Sequence, residues 1–230
     1  MAGEEWLDER KKRKLGRAQR TPEYNKPMRV AVVGCGTAGP AAALNIVRRL
    51  GWTVELFEKT REPSAVGAGI GIQPIGMTAA SKLGIFGKCL QHGARVDSIK
   101  TRSEQGGEAT PVLDIAYKNF DERLFGLGLH RGVLFHLLLD ACLQEPAKIS
   151  PRFGVEVTEI EDAAHDKVTL RDADSRPHGP FDLVVLADGT NSHLRSGLGV
   201  PHAFKRYDYG ALFALLPDDA RTFGTSLTQG

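Results

Sequence analysis

The stretch Met28-Arg29-Val30-Ala31-Val32-Val33-Gly34-Cys35-Gly36-Thr37-Ala38-Gly39-Pro40-Ala41-Ala42-Ala43-Leu44-Asn45 decides the fold. Met28–Val33 is a short apolar run rich in β-branched residues that stops at glycine, and it reads as a buried strand. Ala38–Leu50 reads as a helix, with Gly51 as the residue just past its end. Thr53–Phe57 is a second strand. Strand, glycine-rich turn, helix and strand within about 30 residues make a βαβ unit, because parallel strands need a crossover of that kind.

Gly34, Gly36 and Gly39 form a G-x-G-x-x-G fingerprint, and its position between a strand and a helix gives it meaning. Gly34 permits the tight turn, Gly36 lets the backbone approach a phosphate, and Gly39 lets the helix pack closely on the strand. With Thr37 and Ala38 they build a loop whose free N–H groups and helix dipole face an anionic pyrophosphate. Glu58 ends the second strand 24 residues after Gly34, where an acid accepts hydrogen bonds from a ribose 2′-OH and repels the 2′-phosphate of NADP. Lys59, next in the chain, is grouped with it as a cofactor residue. Cys35 is read as a small residue in a variable position, not as a redox thiol. This unit alone does not say which dinucleotide is bound.

The 26 glycines in 230 residues exceed the ~7% of ordinary proteins and fit a chain with many close backbone approaches. Residues 1–27 hold eight Lys/Arg against five Asp/Glu, so with a total formal charge of +2 the remainder carries −1. The tail reads as a basic, disordered segment, and the near-neutral body argues against a nucleic-acid partner. The cysteines Cys35, Cys89 and Cys142 form no C-x-x-C pair, so neither a disulfide framework nor a metal site is expected. With no apolar h-region and no run of about 18 apolar residues, the reading is a cytoplasmic protein with no membrane partner.

Further along, Met77–Leu83 and Phe86–His92 read as short helices, and residues 96–127 as short strands with loops. Gly132–Gln144 is a helix whose polar residues His136, Asp140 and Gln144 recur at i, i+4, i+8 as one exposed stripe. Glu156–Ile160 and Lys167–Arg171 alternate like an antiparallel hairpin. Phe181–Ala187 is an apolar strand ending at Asp188-Gly189, a short helix begins near Ser192, and 205–216 reads as a final strand.

Two side chains stand out on physical grounds. Arg131 opens a helix, where a cation opposes the macrodipole; pairing with a phosphate explains it, and a solvated arginine is the alternative. Asp188 ends a buried strand, the edge at which open α/β sheets place ligands; a helix-capping aspartate is the alternative.

At this point a family is visible. Phe181-Asp182-Leu183-Val184-Val185-Leu186-Ala187-Asp188-Gly189-Thr190-Asn191-Ser192-His193-Leu194-Arg195 resembles the second signature of the FAD-dependent aromatic-ring hydroxylases, the single-component flavoprotein monooxygenases. Leu129-His130-Arg131-Gly132 is similar to the segment whose arginine contacts the flavin side of FAD. Val66–Ile72 followed by Gln73-Pro74 resembles the loop beside the isoalloxazine, which brings in Gly71. The resemblance runs from about Arg29 to Pro217 with its motifs in the family's order.

The resemblance implies FAD as cofactor, NADH or NADPH as reductant, and oxygen transfer to a small, often aromatic, substrate. No protein group is expected to be catalytic in its own right. The cofactor residues it implies, with those read above, are Gly34, Gly36, Thr37, Ala38, Gly39, Glu58, Lys59, Gly71, Arg131, Asp188 and Gly189. The expected fold is α/β: a Rossmann-like FAD-binding domain over 28–200 with an added antiparallel β element, then 201–230 as the start of an incomplete substrate domain. The chain contains no Gly-Asp dipeptide, which the family carries beyond its substrate sheet, so a truncation is expected at the start of that sheet. An unpaired strand at 205–216 would invite self-association. A catalytically silent FAD- or nucleotide-binding module and an NAD-dependent dehydrogenase are the competing readings.

Overall fold

The computed structural model describes residues 26–230 except 65–66, 106–107, 164–165, 200, 202, 211, 215, 217, 221, 223 and 230. The basic tail, apart from its last two residues, and Val66 of the glycine-rich loop therefore lie outside the described residues. In chain order the elements are β1 (Arg29–Val33), α1 (Ala38–Asn45, prolonged by a π-turn over Ile46–Leu50), β2 (Thr53–Glu58), β3 (Gly69–Ile72), α2 (Pro74–Lys82), α3 (Phe86–His92), β4 (Ala94–Val96), β5 (Ser98–Gln105), β6 (Glu108–Ala116), β7 (Gly126–His130), α4 (Arg131–Leu143), β8 (Ile149–Phe153), β9 (Val157–Ala163), β10 (Lys167–Asp172), β11 (Pro177–Phe181), β12 (Leu183–Leu186), α5 (Leu194–Gly197) and β13 (Ser226–Gln229). They fall into two compact units, one built on Gln19–Val66 and Leu134–Ala211, the other on Gly67–Val133 and Leu212–Gly230.

The first unit is α/β. Its parallel sheet has the order β12-β1-β2-β8, with Val30 opposite both Leu183 and Val54. The central strands are apolar because both faces are covered: Val30, Ala31, Val32, Leu56 and Phe57 are fully buried, as parallel strands require. The expected crossover is present, and Gly51 closes it at φ 75° in the left-handed region, where glycine carries no steric cost. An antiparallel sheet of order β11-β10-β9 is the added element. Phe57, Leu170, Phe181 and Leu194 share one core cluster, and the Phe57 and Phe181 rings meet edge-on at 6.0 Å. Each such side chain contributes roughly 1.5–3 kcal/mol on burial. In α4, Cys142 Sγ donates to the Pro40 carbonyl of α1 at 3.4 Å, while His136, Asp140 and Gln144 form the expected exposed stripe.

The second unit holds two smaller sheets, β3-β7-β4 and β13-β5-β6. Helices α2 and α3 stand where the sequence places them.

Three expectations need correction. Residues 96–127 contain a long hairpin, β5 with eight residues and β6 with nine, not only short strands. Ser98-Ile99-Lys100-Thr101-Arg102-Ser103 is polar enough to hide its period of two. The strand expected over Phe181–Ala187 is divided: Phe181 closes β11, β12 begins at Leu183, and Asp182 between them accepts the Arg29 backbone N–H at 2.8 Å. The strand expected at 205–216 is absent among the described residues. No neighbouring strand supplies ladder partners there, and Leu212, Phe213 and Leu216 are exposed; the last strand is β13, parallel to β5.

Candidate functional site

The loop between β1 and α1 is shaped by backbone contacts at two of its glycines. Gly34 donates its N–H to the Phe57 carbonyl at 2.8 Å and adopts φ 102°, and a Cβ there would stand 2.4 Å from the Ala187 carbonyl oxygen. A Cβ on Gly39 would stand 1.9 Å from the Gly34 carbonyl oxygen. Gly36 is the opposite case: it is exposed, and no atom lies within 4 Å of where its Cβ would be. Thr37 sits at the N-cap of α1 without a side-chain capping bond, and Ala38 opens the helix. The first N–H groups of a helix so capped are free for an anion.

Beside this loop, Glu58 Oε2 accepts the Cys35 backbone N–H at 2.9 Å and Oε1 accepts that of Thr60 at 2.9 Å. The carboxylate ties the loop to the end of β2. Cys35 is buried, and burial, helped by the nearby Glu58 charge, pushes its thiol up to about 12. A thiol raised that far holds little of the reactive thiolate at neutral pH.

Gly34, Glu58, Lys59 and Asp188 line one cleft of about 110 Å³. Asp188 is brought there by β12, whose continuation is held by the Ala187 N–H donating to the Val33 carbonyl at 2.7 Å. Gly189 turns the chain at φ 91°. Ser192, not Asp188, serves the next helix: its Oγ accepts the Arg195 N–H at 3.1 Å. The same cleft is lined by Glu156, Asn191 and His193, which the sequence motifs do not single out. Asn191 and His193 follow the Asp188-Gly189 turn and were findable from it. Glu156 had no such signal; the chain beside it is placed by the Val155 N–H donating to the Glu58 carbonyl at 2.9 Å.

The second unit carries Gly71 and Arg131. Gly71, in β3, lines a cavity of about 520 Å³ together with Gln73, Tyr117, Leu127 and His130. The Tyr117 hydroxyl donates to Gln73 Oε1. Arg131 starts α4 and its N–H donates to the Ala68 carbonyl at 3.1 Å. A Cβ on Gly67 would lie 3.1 Å from Arg131 Cδ, so the arginine stem runs over the glycine-rich loop. Among the described residues no group of three or more His, Cys, Asp or Glu is placed to hold a metal, and no helix is long and apolar enough to cross a membrane.

The chain is similar to known proteins. The family described as FAD binding domain matches residues 27–222. A 6-hydroxynicotinate 3-monooxygenase of Pseudomonas fluorescens is 32% identical over 192 residues, covering 82% of this chain and 48% of the relative. A 3-hydroxybenzoate 6-hydroxylase of Klebsiella oxytoca is 30% identical over 211 residues, covering 89% of this chain and 52% of the relative. The solved structure of a tetrameric 2-methyl-3-hydroxypyridine-5-carboxylic acid oxygenase superposes with a TM-score of 0.62 at 25% identity, covering 76% of this chain and 43% of that one. The chain thus spans about half the length of the curated relatives it matches. On these matches the chain belongs to the FAD binding domain family and is similar to curated aromatic-ring monooxygenases and hydroxylases.

Proposed function

We propose that this chain is the FAD-binding portion of an NAD(P)H- and O2-dependent flavoprotein monooxygenase acting on a small aromatic molecule. The observation that carries the reading is the open backbone at Gly36, set in a loop where Gly34 and Gly39 admit no side chain. An FAD fits the residues present, since Gly36 is a cradle that a Cβ would fill. Gly34, Gly36, Thr37, Ala38 and Gly39 would take the pyrophosphate, and Glu58 with Lys59 the adenosine ribose. Asp188 and Gly189 would serve the FAD and NAD(P)H region, Arg131 would contact the flavin side of FAD, and Gly71 belongs to the loop that resembles the one beside the isoalloxazine. Bound there, the flavin supplies the redox and oxygen-transfer chemistry, with NADH or NADPH as reductant. This chain's residues bind it, orient it and exclude water.

The parallel sheet β12-β1-β2-β8 and its crossover support a Rossmann-like fold within the proposed 28–200 FAD-binding domain, whose residues 67–133 belong to the second unit. Residues 201–230 are proposed as the opening of a substrate-binding segment, whose strand β13 pairs with β5. An aromatic substrate is supported by the relatives' names and by the apolar cavity containing Gly71. The near-neutral body supports the lack of a nucleic-acid partner, and the three free cysteines support a cytoplasmic protein. Exposed Leu212, Phe213 and Leu216 support self-association. The test is direct: the purified protein should carry a yellow flavin spectrum, and added FAD should raise its melting temperature. A colourless protein stabilised by NAD and not by FAD overturns the reading.

A further inference from the structure

We infer that His130 is a positioning residue for Arg131, acting by capping α4 with its imidazole. His130 Nδ1 accepts the Gly132 backbone N–H at 3.1 Å. The first N–H groups of a helix have no partner within it, and Ser, Thr, Asp or Asn before the helix usually supplies one. Here the residues before Arg131 are Gly128, Leu129 and His130, so the ring nitrogen takes that part. A neutral imidazole that accepts at Nδ1 carries its proton on Nε2.

The cap matters because Arg131 lies in the chain between the imidazole and the N–H that it holds. His130 is paired with Gly69 in the β3–β7 ladder, the Arg131 N–H is bonded to the Ala68 carbonyl, and the Arg131 stem lies on Gly67. Residues 130 and 131 thus clasp residues 67–69 through consecutive contacts. Arg131 stands at the positive end of α4, where its charge is disfavoured, so its place depends on a backbone held from both sides. The Ala68 carbonyl holds it at residue 131 and the His130 imidazole holds it at residue 132.

The inference rests on the cofactor role proposed for Arg131, and a double-mutant cycle read by FAD titration separates the two. His130→Ala should weaken FAD binding roughly tenfold, the scale of a lost cap. His130→Asn should restore it to within about twofold, because the Asn amide oxygen and the imidazole Nδ1 are both attached to Cγ and Asn is a preferred cap. In an Arg131→Ala background, His130→Ala should cost nothing further. Equal losses in both backgrounds, wild-type affinity in His130→Ala, or no rescue by Asn would each overturn the positioning role. Unchanged affinity in Arg131→Ala alone would remove the arginine from the cofactor site, and the inference with it. If His130→Ala does not fold, His130→Phe keeps the ring, removes the acceptor and carries the same comparison.

Discussion

The carboxylate of Glu58 and the backbone N–H of Cys35 meet at 2.9 Å, so the acid that ends β2 also fixes the loop at the end of β1. One side chain therefore shapes the β1–α1 loop and borders the cleft beside it. Hydrogen bonds to a charged group contribute about 1.5–3 kcal/mol each. Glu58→Ala should weaken FAD binding by tenfold or more in a fluorescence titration and lower the melting temperature. Glu58→Gln, which keeps one carbonyl acceptor, should fall between. Unchanged affinity in both variants would take Glu58 out of the ribose role.

Glu55, buried in the middle of β2, is held by Arg29 at 2.6 Å and Arg152 at 3.0 Å. Burial raises its carboxyl, but the hydrogen bonds and charges of Arg29 and Arg152 together outweigh it and leave the group below its ordinary value of 4.5. A carboxyl depressed in the folded state stabilises fully above its ordinary value, and that contribution is lost as pH falls through the folded one. Glu55→Gln should therefore cost about 1–2 kcal/mol at neutral pH, and the gap to wild type should narrow below 4.5. Urea melts from about pH 7 to about pH 3 measure it; a gap independent of pH would show that the ion pairs contribute nothing.

The parallel sheet and the phosphate loop were legible in the sequence because each depends on a local pattern. A β-branched run, three spaced glycines and an acid at a strand end mark them, and Gly34, Glu58, Lys59 and Asp188 line one cleft. The β5–β6 hairpin was not legible, since Thr101 and Ser103 put polar residues on the face that Ile99 begins and so hide the alternation of a half-buried strand. The strand expected at 205–216 failed for the converse reason. Its residues have strand propensity, but propensity yields to the absence of a pairing partner. Glu156 could not be found because it reaches the cleft through β8–β9 geometry and not through a motif.

The thiols of Cys35, Cys89 and Cys142 are free and buried, and burial pushes Cys35 and Cys142 each up to about 12. At about pH 8 the native protein should react negligibly with a disulfide-exchange reagent, and denaturation should release three thiols. Fast labelling of one cysteine in the native state would show that the phosphate loop opens.

Gly36 and Gly39 allow folding and binding to be separated within a single loop. A methyl group on Gly39 would lie 1.9 Å from a carbonyl oxygen of the backbone, which has no rotamer by which to yield. Gly39→Ala should therefore cost about 3 kcal/mol or more, seen as a large fall in melting temperature with or without FAD. The methyl group of Gly36→Ala meets no protein atom within 4 Å, so the melting temperature of the FAD-free protein should stay within about 2 °C of wild type. If the pyrophosphate lies over Gly36, that methyl group occupies its approach, and FAD affinity should drop by at least tenfold while stability holds. A Gly36→Ala protein that binds FAD as well as wild type would place the pyrophosphate elsewhere on the loop, and the reading of its open backbone as the phosphate cradle would fail.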